Sequence, residues 1–327
     1  MNKKLNFLKM SKVTVWISLS ILIMGIFSMI ENTKVFKMEK TDGSISSLPL
    51  NLGIEFTGGS VFEVDLGEES STTELRELLS DKLTKNPQIQ KSGDVYIIRT
   101  EFISNPDEIY LLLESEYKNF NKDADVSSER IGPLFSQELA KRAYLATFIG
   151  MLVILLYISI RFSFIFAQGA LAALVHDILF VLSYFAIFKV EIGLPFVAAI
   201  LTILGYSIND TIVVFDRIRE NMNKLKNEKF SKICETSLWQ TLSRTINTTT
   251  TTLLAIMAIQ VFGGATLKPF TTALIVGFIA GTYSSIFIAT PYVNSKQKWM
   301  SSKHQEFRKQ LLKYWKLTEE EDRQART

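Results

Sequence analysis

Six long apolar runs, one long polar stretch and several short ones decide what this chain can become. The runs lie at about Val13 to Ile30, Ala143 to Ile160, Phe164 to Phe188, Ile192 to Phe215, Thr245 to Phe262 and Phe270 to Val293. A bilayer core about 30 Å thick is crossed by roughly 20 mostly apolar helical residues. Inside lipid a helix is one of two structures that satisfy every backbone N–H and C=O, the other being a closed barrel. The runs therefore predict six transmembrane helices. Residues 31–142 are polar and charged instead, so composition has to be read segment by segment.

The first run follows Lys3, Lys4, Lys9 and Lys12, as the core of a cleaved signal would. It is long for a signal, and no small-x-small site follows it; the chain continues Met29-Ile30-Glu31-Asn32. A retained anchor is expected. Orientation follows from Lys and Arg in short loops. The tail 1–12, the stretch 216–244 and the tail 294–327 are basic, whereas the loops after the third and fifth runs hold little beyond Lys189 and Lys268. Both termini and a loop over 216–244 are expected to be cytoplasmic. Residues 31–142 then form a domain on the periplasmic face of an inner-membrane protein.

Several chemistries are missing their reagents. The one cysteine, Cys234, excludes an intrachain disulfide framework. Two histidines, His176 and His304, do not by themselves make a usual zinc site. No Gly-Lys-Ser/Thr phosphate loop occurs, which speaks against ATP bound here. No cofactor, metal, nucleic-acid partner or enzymatic activity is expected.

The polar stretch alternates. Ile54 to Leu66 reads as a strand, and Thr72 to Lys85 as a helix with Leu75, Leu78, Leu79 and Leu83 on one face. Asp94 to Phe102 reads as a strand, Pro106 to Phe120 as a second helix, and Ala124 to Ile131 as a last strand. This pattern predicts a small α+β domain of ferredoxin-like kind.

An ionisable group at membrane depth costs roughly 2.5–3.5 kcal/mol on insertion scales, so it faces a bundle interior or a wet path. Asp210, in Gly205-Tyr206-Ser207-Ile208-Asn209-Asp210-Thr211, is the leading candidate for a proton site. Helical spacing sets Ile203, Tyr206 or Ser207, Asp210 and Val213 or Val214 along one strip. Arg244 opens the fifth run, ahead of the hydroxyl-rich Thr245 and Asn247 to Thr252. Its guanidinium is long enough to reach inward, and a carboxylate beside it would form a proton-sensitive latch. Asp177, next to His176 in the third run, suits either a proton relay or a structural contact. Gly169, Ala172, Ala173, Gly277, Ala280 and Gly281 read as helix-packing positions.

Three stretches together resemble the SecF family: Gly53-Ile54-Glu55-Phe56-Thr57-Gly58-Gly59, then Ile131-Gly132-Pro133 with Glu138-Leu139, then Tyr206 through Asn221. Ser136 departs from the family, which often has glycine after the Gly-Pro step. The resemblance covers nearly the whole chain. It implies half of a twelve-span arrangement related to the RND transporters, with SecD as the other half. It also implies work beside the SecYEG channel, assisting late export of a translocating polypeptide with the proton gradient, in contact with membrane lipid. By position it assigns Asp210 and Arg244, with Asp177, Asn209 and Thr211, to the proton path. Phe56, Thr57, Gly58 and Gly59 fall at a hinge. The competing reading is an RND-type exporter of small molecules or lipids, which would usually carry larger periplasmic domains. A passive scaffold is a third.

Overall fold

The structure is a computed structural model that describes residues 6–39, 45–80, 83, 87–120, 126–162, 164–264 and 267–299. It divides into two compact units. One comprises residues 1–30, 146–188 and 196–327; the other comprises 31–145 together with 189–195.

The second, polar unit is built on a four-stranded antiparallel sheet. Strands β3 (Gly59–Asp65), β4 (Gln88–Ser92), β5 (Val95–Thr100) and β6 (Val126–Ile131) stand in the order β4-β5-β3-β6. Helices α3 (Thr72–Ser80) and α4 (Asp107–Glu116) follow β3 and β5. The sequence β-α-β-β-α-β in that strand order is the ferredoxin-like arrangement. A separate hairpin, β1 (Phe36–Glu39) with β2 (Ile45–Leu48), precedes it.

Alternation explains the core. Phe62 and Val64 on β3, with Leu66 just beyond it, point to one face, as do Tyr96 and Ile98 on β5. Leu75 and Leu79 of α3 and Ile109 and Leu113 of α4 cover them. The Phe62 ring meets Tyr110 edge-on at 5.7 Å. The buried Tyr96 hydroxyl is satisfied, donating to Ser70 O at 2.7 Å and accepting from Ser70 N at 2.9 Å. Helix α3 starts with a capping box: Thr73 N donates to Ser71 Oγ, and Ser71 N to Glu74 Oε2, each at 3.2 Å.

The expected strand over 54–66 is corrected at its start. Ile54–Thr57 is a one-turn helix, α2, closed by Gly58 N donating to Ile54 O at 2.8 Å. Gly58 has φ 74° and ψ 154°, a region only glycine occupies readily. At Gly59 (φ 146°) a Cβ would lie 2.6 Å from the Thr100 carbonyl oxygen. Two glycines are thus demanded in succession to turn α2 into β3. Strand β4, paired with β5 from Gln88↔Arg99 to Ser92↔Val95, has no counterpart in the sequence reading. The helix expected to Lys85 is described to Ser80, and the helix expected to Phe120 ends at Glu116, with Tyr117 already extended. Ala124 and Asp125 lie outside the described residues.

The other unit is helical. Its principal helices are α1 (Phe7–Asn32), α5 (Pro133–Arg161), α6 (Phe164–Phe188), α7 (Leu194–Lys224), α8 (Phe230–Phe262) and α9 (Lys268–Ser284). A π-helical segment (Ser285–Ala289) joins α9 to α10 (Thr290–Trp299). Among the described residues, six helices are long and apolar enough to cross a membrane, the sixth counted continuously over Lys268–Lys296. The stretch 216–244, expected as a loop, is mostly helical: α7 runs to Lys224 and α8 begins at Phe230. Buried Ile218, Met222, Ile233 and Leu238 share that hairpin with charged and amide groups, which lower its hydropathy. Arg217 Nε donates to Gln240 Oε1 at 2.7 Å, and Asn221 Nδ2 donates to Ser237 Oγ at 2.8 Å. The amide groups of Phe7 and Leu8, at the start of α1, donate to the Glu235 carboxylate at 2.7 and 3.2 Å.

Exposed apolar side chains crowd α1 (Trp16, Ile23, Phe27) and α5 (Phe148, Leu152, Leu156), as lipid-facing surfaces require. Helices α6, α7 and α9 are the buried ones. Small residues let α7 and α9 approach closely: a Cβ on Gly277 would lie 2.3 Å from Ile203 Cδ1, and one on Gly281 2.9 Å from Ser207 Cβ.

Candidate functional site

Two polar layers cross the helical unit where α6, α7 and α9 meet. Asp177 of α6 is fully buried. Its Oδ2 accepts from Ser207 Oγ of α7 at 2.6 Å and from Ser284 Oγ of α9 at 2.9 Å. Its Oδ1 lies 3.1 Å from His176 Nδ1. The imidazole continues the chain through Nε2 to Ser18 Oγ of α1. A buried carboxylate is tolerated when its oxygens are hydrogen-bonded, and here both oxygens have partners.

The second layer centres on Asp210. The strip expected on α7 is present, with Ile203, Ser207, Asp210 and Val214 all buried. Asp210 is 4% exposed, and Thr282 Oγ1 of α9 approaches its Oδ2 at 3.5 Å. Thr282 is also 2.8 Å from Thr249 Oγ1 of α8, and Thr249 in turn accepts from the Tyr206 hydroxyl at 3.3 Å. Stacking on Phe278, at 4.1 Å between centroids, fixes that tyrosine ring. Thr211, one residue on, pairs with Ser285 Oγ at 2.8 Å. Three helices thus carry a line of hydroxyls to one carboxylate.

Arg244 lies near Asp210 without touching it. Among the described residues the two form no hydrogen bond and no ion pair within 4.0 Å. The contact expected between the two is not made here. Arg244 lies on an uncovered face of α8 with Asn247, Thr248 and Thr251. Asn209 is likewise exposed on α7, in line with Thr202 and Gly205, and is turned away from the buried strip. Phe56 and Thr57 belong to the polar unit, in α2, with Thr57 Oγ1 donating to Gly53 O at 3.0 Å.

Sequence reasoning passed over Ser18, Thr282, Ser284 and Ser285. A signal was there: Thr282-Tyr283-Ser284-Ser285 interrupts an apolar run, and Pro291 follows. Proline lacks an N–H, so one i→i−4 bond is lost on its N-terminal side. The π-helical segment sits on that side, and Thr290 Oγ1 donates to Ser285 O at 3.0 Å. Such segments recur at functional sites.

Carboxylates shut among spanning helices, each fed by hydroxyls from neighbouring helices, are features of a polytopic membrane protein of the transporter class. Comparison with known proteins narrows the class. Residues 113–299 match the family described as protein export membrane protein SecD/SecF, C-terminal, and residues 43–67 match the SecD/SecF GG motif. The chain is 37% identical over 270 residues to the protein translocase subunit SecF of Sebaldella termitidis, covering 80% of this chain and 87% of that one. It is 41% identical over 242 residues to SecF of Haemophilus influenzae, covering 73% and 74%. The crystal structure of SecDF from Thermus thermophilus, described as a translocon-associated membrane protein, superposes with a TM-score of 0.79 at 30% identity; the match covers 91% of this chain and 39% of that one. The chain belongs to the SecD/SecF family of protein export membrane proteins.

Proposed function

We infer that this chain is the SecF-type subunit of an inner-membrane protein-export machinery, and that it couples the proton gradient to late movement of polypeptide through protonation of Asp210. The observation that carries the reading is Asp210 itself: an acid sheltered inside a span, met by a hydroxyl line, with a cation nearby that it does not touch. Proton uptake or release there changes what the carboxylate attracts. Ionised, it draws Arg244 and accepts from Thr282; protonated, it becomes a donor and releases the guanidinium. One elementary charge crossing 100 mV is worth about 2.3 kcal/mol, enough to bias two packings of a bundle. Asp177, with both oxygens engaged, serves as a second polar node tying α1, α6, α7 and α9.

A partner follows from the open polar face. Asn209, Arg244, Asn247, Thr248 and Thr251 are exposed on α7 and α8, and lipid does not solvate such groups. A SecD-type subunit covers them, in keeping with the single SecDF chain of which this one spans 39%. The Lys and Arg content of the tails 1–12 and 294–327 and of the stretch 216–244 supports cytoplasmic termini with residues 31–142 in the periplasm; the SecYEG channel and its emerging polypeptide are then that domain's neighbours. Asp210→Asn keeps the shape and removes the titrating group. In inverted inner-membrane vesicles it should insert, co-purify with SecD and lose the gradient-dependent part of export. Unchanged gradient dependence would refute the reading.

A further inference from the structure

The loop joining α6 to α7 is built into the polar unit. Residues 189–195 group with residues 31–145 and not with the helices they connect. Ile192 pairs with Leu52 in a parallel bridge; Gly53 N donates to Ile192 O at 2.9 Å, and Ile192 N donates to Asn51 O at 2.8 Å. Asn51 Nδ2 donates to Lys189 O at 3.1 Å. Arg99 of β5 then grips Glu191 with two prongs, Nε to Oε1 at 2.9 Å and Nη2 to Oε2. Glu55 of α2 accepts from Leu194 N, the first residue of α7, at 3.3 Å. The Glu55 carboxylate lies against both glycines of this junction. A Cβ on Gly53 would lie 2.3 Å from Glu55 Oε2, and one on Gly193 3.0 Å from Glu55 Oε1.

We propose that Arg99, Glu191 and Glu55 form the clamp that passes movement of α6 and α7 into the polar unit. The inference rests on the proposed function, since it needs those helices to move when Asp210 takes a proton. Connectivity supplies the route. Asp177 is carried by α6 and Asp210 by α7, and the clamped loop is the segment between them. Asp210 lies about 24 Å along α7 from Leu194 at roughly 1.5 Å per residue. A continuous helix carries an axial shift over that length, and a short loop held at both ends hands it on. A bidentate guanidinium–carboxylate pair resists shear better than a single contact, because both bonds fix one plane. Each side chain of this pair is about one-fifth exposed, so the pair is largely desolvated.

The test uses the full chain with SecD in vesicles and three variants: Arg99→Gln, Glu191→Gln, and the swap Arg99→Glu with Glu191→Arg. The readout is the ratio of gradient-dependent to gradient-independent export, alongside SecD co-purification and thermal stability. Both neutral variants are expected to lose gradient dependence on the order of fivefold or more, the lower end of ordinary coupling energies. The swap should restore it in part. A further variant, Leu52→Cys with Ile192→Cys, adds a disulfide at the bridge; in the Glu191→Gln background, oxidation should recover coupling and reduction should remove it. A merely structural pair predicts lower yield or stability with the ratio unchanged, and that result overturns the clamp. Asp210→Asn is run in parallel. If it keeps its gradient dependence, the functional reading falls and the clamp with it. If it loses that dependence while the clamp variants keep theirs, the clamp alone falls.

Discussion

Replacing Gly59 by alanine should open the polar unit far more than the same change at Gly93, although both glycines have positive φ. At Gly93 (φ 65°), in the β4–β5 turn, a new Cβ meets nothing within 4 Å. The cost there is left-handed backbone alone, roughly 1–2 kcal/mol. At Gly59 (φ 146°) the Cβ meets the Thr100 carbonyl oxygen at 2.6 Å and Ile54 Cγ2 at 3.0 Å. The oxygen belongs to the backbone of β5, so β3 and β5 must part to make room. Strain of about 1–3 kcal/mol and overpacking of about 1–3 kcal/mol together remove much of a small domain's margin. The assay is hydrogen exchange by mass spectrometry on the full chain in nanodiscs, read at the amides of β3 and β5. The clash should make opening in Gly59→Ala faster than in Gly93→Ala by roughly 5- to 150-fold. Equal exchange in the two variants would refute the argument that close approach, not φ, selects glycine at that position.

Three further outcomes are expected. Burial holds the Glu191 carboxyl above its usual range, Arg99 pulls it back and neighbouring Glu55 pushes it up again, so acid removes the charge that Arg99 grips before an ordinary carboxylate is neutralised. An infrared carboxyl C=O band absent from Glu191→Gln should therefore grow in above the ordinary carboxylate range as pH falls; growth only below that range would contradict the sign. Glu235→Ala removes the acceptor of Phe7 N and Leu8 N and should destabilise the start of α1 by about 0.5–2 kcal/mol, seen as faster exchange there and nowhere else in α1. Gly281→Ala, whose Cβ would lie 2.9 Å from Ser207 Cβ, should lower stability in detergent by about 1–3 kcal/mol, whereas Gly205→Ala, with open space, should not.

Much of the architecture was legible because membrane physics leaves few options. Apolar length found all six spans, and helical spacing found the buried strip from Ile203 through Asp210. What escaped was chemistry whose partners are distant in sequence. Ser284 looks like an ordinary small residue until α9 packs on α6 and its hydroxyl reaches Asp177, 107 positions away. Asn209 shows a related limit: adjacency to Asp210 says nothing about direction, since neighbours on a helix point about 100° apart. Strand β4 was missed because Gln88-Ile89-Gln90-Lys91-Ser92 is polar at an edge of the sheet, where hydrophobic alternation carries little signal. The one-turn helix α2 was read as strand because Ile54 and Phe56 suit either form, and the two glycines decide between them.

The proposed mechanism turns on a proton moving on and off Asp210 as the helices repack. Infrared difference spectroscopy on the chain reconstituted with SecD, before and after an imposed proton gradient, addresses it directly. A carboxyl C=O band should change with the gradient, disappear in Asp210→Asn and persist in Asp177→Asn. A gradient-induced band that survives Asp210→Asn, or no carboxyl change in the parent protein while export proceeds, would contradict it.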